Sequence, residues 1–138
     1  MAAGSLVLTL DGALPVEHLT PGDRIVTRRG LRSLRHVAAR RVTPALLVRV
    51  PAGTLGHDRP ERPLWLAADQ PVVVTDWRAR AIFGAPVVAV PVGRLADGVL
   101  LQRERAAEAR LFTLHFDRPE TVYAEGVQLA CPAQPAFA

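Results

Sequence analysis

Residues 6–27, Leu6-Val7-Leu8-Thr9-Leu10-Asp11-Gly12-Ala13-Leu14-Pro15-Val16-Glu17-His18-Leu19-Thr20-Pro21-Gly22-Asp23-Arg24-Ile25-Val26-Thr27, decide the fold. Residues 6–10 form a short β-type run, and Asp11-Gly12 behind it is a strong short-range hairpin signal. Residues 13–19 return the chain. Thr20-Pro21-Gly22-Asp23 then turns it again, because Pro presets φ, Gly accepts positive φ and Asp can bond its own backbone. Residues 24–27 lead out as the next strand. No window in this stretch is long enough for an amphipathic helix.

The same grammar continues in both directions. Arg29-Gly30 turns into an extended run over 31–37, and 42–50 is extended around Leu46-Leu47-Val48. Residues 52–63 carry Gly53, Gly56, Pro60 and Pro63 among mixed charges and read as an irregular loop. Trp65-Leu66 and residues 72–75 are strands on either side of Ala67-Ala68-Asp69-Gln70. After the break at 84–86 come runs at 87–90 and 92–95, a turn at Asp97-Gly98, an alternating strand over 111–116, and strands at 120–124 and 127–129. Residues 102–110 have no apolar stripe to bury, so loop or exposed strand is expected there rather than helix. The prediction is an all-β chain of many short hairpins with little or no helix, its sandwich, barrel or meander arrangement left open. There is no repeat of fixed period and no internal linker. One domain over 1–131 and a frayed Pro/Ala-rich tail over 132–138 are expected.

At 138 residues, 49% of them hydrophobic, the chain can bury one ordinary core. All 17 basic residues are Arg, and the net charge is +4. Arg24, Arg28, Arg29, Arg32, Arg35, Arg40 and Arg41 crowd one stretch that could neutralise phosphates. No aromatic residues interleave with them to stack on bases, so solvated strand positions are the favoured reading over nucleic-acid binding. Cys131 is the single cysteine, which excludes an internal disulfide. No signal peptide or membrane span is read, and a cytoplasmic location is expected.

Four phrases in order resemble the Hint (hedgehog/intein) domain family. They are Gly4-Ser5-Leu6-Val7-Leu8-Thr9 through the 11–27 segment just quoted; residues 64–74; Val90-Pro91-Val92-Gly93-Arg94-Leu95; and Leu114-His115-Phe116-Asp117-Arg118-Pro119-Glu120-Thr121-Val122-Tyr123-Ala124-Glu125-Gly126. Together they span residues 4 to about 131. The resemblance implies a Hint-type multi-strand β fold. It also implies a family chemistry in which an N-terminal Cys attacks the preceding carbonyl in an N-to-S acyl shift and a histidine donates a proton to the leaving amine.

The departures from the family pattern bear on that chemistry. The family's leading Cys would fall just before Met1. Ser5 lies past that position and reads as a structural hydroxyl at a strand start. Gln70 stands where the family has its histidine, and Ala67 and Ala68 replace its Ser-Pro; Gln donates hydrogen bonds but does not shuttle protons near neutral pH. Pro119 replaces a frequent His before Glu120. The expectation is a domain that has lost self-cleavage and serves as a scaffold or interaction module, leaning away from an enzyme. An active autoproteolytic domain with a Cys upstream of Met1, and an Arg-rich nucleic-acid-binding domain, are the alternatives. Ser5, His115 and Cys131 are the remaining catalytic candidates. Cys131 reads as a buried thiol whose partner would have to be His18, His36, His57 or His115. No His has a second at ligand spacing along the chain, so no metal and no cofactor are expected. The expected partner is the remainder of a larger polypeptide or another protein, with oligomerisation open and no membrane.

Overall fold

Thr9 and Thr27 show how this sequence builds its turns. In Thr9-Leu10-Asp11-Gly12 the Thr9 hydroxyl accepts the Asp11 N–H at 3.1 Å and donates to the Gly12 carbonyl at 2.7 Å. In Thr27-Arg28-Arg29-Gly30 the hydroxyl of Thr27 does the same with Arg29 and Gly30, at the same two distances. Gly12 and Gly30 take φ of +97° and +96°, where a side chain would be strained. Each turn joins an antiparallel pair: β1 (Leu6–Thr9) with β2 (Gly12–Pro15), and β3 (Arg24–Thr27) with β4 (Gly30–Ser33).

A computed structural model of the chain describes all residues except 56–57, 76, 99–100 and 135–138. The remaining strands are β5 (His36–Val42), β6 (Ala45–Val50), β7 (Leu64–Ala67), β8 (Pro71–Val74), β9 (Val88–Pro91), β10 (Gln102–Ala106), β11 (Ala109–His115), β12 (Glu120–Ala124) and β13 (Val127–Cys131). The largest sheet runs β2-β1-β3-β12-β13-β8-β9, with β4 beside β3. A second sheet is β10-β6-β7 and a third is the ribbon β11-β5. The all-β reading holds, and residues 102–106 are the exposed strand expected in place of a helix. Among the described residues no helix is long and apolar enough to cross a membrane.

Alternation along the strands sets the core. Val7, Ile25, Val48, Val50, Leu64, Leu66, Leu114, Phe116, Val122 and Leu129 turn inward from all three sheets into one buried cluster. A smaller cluster of Ala45, Leu47 and Leu111 lies under Trp65 and Ala67. Burial of such side chains from water is the main stabilising term, at about 1.5–3 kcal/mol for each large one.

Three local readings need correction. Trp77–Phe83 is a short α-helix, α1, which hydrophobic periodicity missed because Ala79 is its single buried residue; Ala- and Arg-rich composition favours it and Gly84 ends it, its N–H closing on Arg80. Residues 92–95 form a 3₁₀ turn rather than a strand. The run over 31–37 splits into β4 and β5 because buried Leu34 leaves the ladder to exchange hydrogen bonds with Gly22 and Asp23. At the C-terminal side, Phe116 N–H donates to Pro132 and the Gln134 N–H donates to Phe116. Residues 135–138 of the expected tail, like Gly56 and His57, lie outside the described residues.

Candidate functional site

The two ends of the domain meet. Residues 1–3 thread between β11 and β7: Met1 and Phe112 exchange backbone bonds at 2.9 and 2.8 Å, Ala2 donates to Trp65 and Ala3 to Arg110. Met1 is 3% exposed and belongs to the main core. Its α-amine is lowered from 8.0 to about 6, chiefly because burial disfavours the charged form. Cys131 and Asp69 oppose that shift, and Arg40 adds to it.

Two carboxylates brace the segment that follows. Gly4 N–H donates to both oxygens of Glu17 at 3.0 and 2.7 Å. Leu6 N–H donates to Glu125, whose carboxylate also takes both arms of Arg62. Glu125 is buried, so an unpaired charge there would be costly; the guanidinium and the amide together satisfy it. Neither role was read from the sequence, because partners 13 and 119 positions apart leave no local signal. The Ser5 hydroxyl donates to Ala2 at 2.7 Å, closing the turn that delivers the chain into β1.

Gln70 lies at the end of a tight turn after β7, with its N–H on the Ala67 carbonyl. Its side-chain amide donates to the carbonyls of Pro71 at 2.9 Å and Ala130 at 3.0 Å. That tethers the 67–70 turn to β13 immediately before Cys131. From the other side, Val92 and Gly93 donate to Gln70 and Ala68. Ala67 packs on the smaller cluster and presents no hydroxyl.

Gly93 is small because that turn presses on it: a Cβ would lie 2.9 Å from the Ala68 carbonyl oxygen. Gly93→Val is expected to lower stability by about 1–3 kcal/mol through overpacking. The loss would be read from the urea midpoint, with a shift of the Gln70 side-chain amide resonances; an unchanged midpoint and spectrum would contradict this clamp.

Sequence order places Cys131 and Met1 at opposite ends, but the fold brings them close enough to feel each other's charge. Burial pushes the Cys131 thiol up to about 12, against the pull of the Met1 amine and of the Leu114 backbone N–H. A thiol in that state is a hydrophobic filler rather than a nucleophile. His115 lies on β11 against the 132–134 segment, its Nδ1 3.3 Å from the Ala133 carbonyl. Four of the seven arginines of the 24–41 stretch are engaged with carboxylates: Arg29 and Arg32 with Glu120, Arg35 with Asp117, and Arg41 with Glu108. The Met1 amine lies within electrostatic reach of Cys131, Asp69 and Arg40, and Gln70 bonds to the residue before Cys131.

Comparison with known proteins bears on the fold. The model of one family, described as the Hint domain, matches residues 1–131. A bacterial intein-like domain from Clostridium thermocellum is similar at a TM-score of 0.62 and 17% identity, over 94% of this chain and 96% of that one. The gp41-1 intein is similar at 0.61 and 10%, over 93% and 94%. The MchDnaB-1 intein (N145AA) is similar at 0.58 and 12%, over 96% and 98%. No curated protein sequence matches the chain.

Proposed function

The chain belongs to the Hint-domain family, and from that premise we propose that it keeps the family fold without self-cleavage, acting as a scaffold or interaction module. One observation carries the reading: the side chain in the family's histidine position, Gln70, spends its amide N–H donors on two backbone carbonyls. It ties β8 to β13 and offers no group that could pass a proton to a leaving amine. Cys131, buried and protonated, is not poised as a nucleophile.

The second reading is an active domain with a Cys immediately before Met1. The burial of the Met1 amine favours it, since a residue joined there would start inside the fold. The Arg-rich stretch is a weaker basis for nucleic-acid binding, because the four paired guanidiniums are already engaged.

The experiment is a reporter protein fused ahead of Met1, with and without a Cys at the junction, incubated with dithiothreitol and followed by intact mass. Both fusions are expected to stay whole over a day. Thiol-dependent release of the reporter from the Cys fusion would overturn the scaffold reading in favour of the second.

A further inference from the structure

His36 and His115 are far apart in sequence, and the β5–β11 ladder sets them directly opposite one another. Directly opposed residues leave an antiparallel pair on the same face. The two rings stand with centroids 5.5 Å apart and planes inclined by 43°. We propose that this pair is a labile site for a borderline divalent transition-metal ion such as Zn2+.

Geometry is the first support. With metal–nitrogen bonds of about 2.0–2.1 Å, two imidazoles on one tetrahedral ion place their centroids about 5 Å apart. The observed spacing of 5.5 Å is close to that value. The second support is tautomer control. The Ala133 carbonyl lies 3.3 Å from Nδ1 of His115, and a hydrogen bond donated to it from Nδ1 leaves the free lone pair on Nε2. A backbone carbonyl on the non-ligating nitrogen is the usual way a metal-binding histidine is oriented.

His36 is exposed and forms no hydrogen bond through its ring among the described residues. The neighbouring cation, Arg35, is neutralised by Asp117 at 3.0 Å, which removes one source of repulsion toward an incoming ion. Among the described residues no third His, Cys, Asp or Glu joins the pair. Water must fill the other coordination positions, so the ion exchanges freely and the site is not a closed structural one. A bound ion would pin β5 to β11, the strand whose Phe112 carbonyl receives the Met1 amine.

The test is calorimetric titration of Zn2+ into the whole chain and into the His36→Ala and His18→Ala variants, alongside NMR of the imidazole nitrogens. His36 and His18 are both exposed, and circular dichroism checks that each variant is folded. One ion per chain is expected with micromolar affinity, together with shifts at Nε2 of His115. His36→Ala should weaken binding at least tenfold, and His18→Ala should leave it unchanged. No saturable binding up to millimolar Zn2+, or equal affinity in folded His36→Ala, would overturn the proposal.

Discussion

Phe116→Ala is expected to remove about 3–5 kcal/mol of stability, the usual loss when a buried aromatic ring is deleted from a packed core. Phe116 is 1% exposed and leads the fully buried side chains of the described residues by volume. It stands just past the end of β11, and its own N–H and C=O pair with Pro132 and Gln134. Sheets on either side cannot close over the vacated space without breaking those pairings, so most of the cavity would persist. Against a total of about 5–15 kcal/mol for a domain of this kind, the variant would be marginal. Urea unfolding followed by far-UV circular dichroism measures the change. Phe116→Leu, which retains much of the volume, should lose less than about 1.5 kcal/mol. A Phe116→Ala variant within 1 kcal/mol of the parent, on the order of an ordinary surface change, would show that the ring is not a keystone of the core.

The second large effect is on pH dependence. The Met1 α-amine has a pKa of 8.0 when free and about 6 in the fold, because the interior disfavours its charge. Between these values the unfolded chain holds more protons than the folded one, so stability rises with pH. Above pH 8 the amine is neutral in both states and its contribution is complete. As pH falls through 6 that contribution is lost, because the folded chain must then bury a charge. Two pKa units correspond to roughly 3 kcal/mol. Urea midpoints at pH 5.5 and 8.5 should differ in that direction, and a 15N label on Met1 should titrate with its midpoint near 6. A Met1 midpoint near 8 would place the amine in water and contradict the seating of residues 1–3.

How much was legible in the sequence depends on the range of the interaction. The turns at Thr9–Gly12 and Thr27–Gly30 are closed by contacts two or three residues apart, so their chemistry is written locally. The alternating run over 111–116 announced the buried face of Phe112, Leu114 and Phe116 for the same reason. Helix α1 escaped because it fully buries only Ala79, with Phe83 partly buried beside the core, and so shows no apolar stripe. The 3₁₀ turn at 92–95 escaped because its purpose lies elsewhere, in two N–H groups given to the Ala68–Gln70 turn.

For the candidate site, the sequence offered Gln70 by position and chemistry and gave no sign that Cys131 would lie near Met1. Chain order carries no information about which strands a sheet will set side by side; β13 lies between β12 and β8 only because the long-range ladder puts it there. Glu17 and Glu125 bear the backbone of residues 4–6, a role that their sequence positions do not announce. His36 and His115 each looked solitary until antiparallel register paired them.

The sequence by itself determined the class of fold, since turn chemistry and strand alternation are local properties. Only the tertiary structure decided that Cys131 and Asp69 come within electrostatic reach of Met1 and that burial holds the Cys131 thiol in its protonated form. The reason is physical: burial and charge coupling depend on distance through space, and that distance exists only after the sheets have formed.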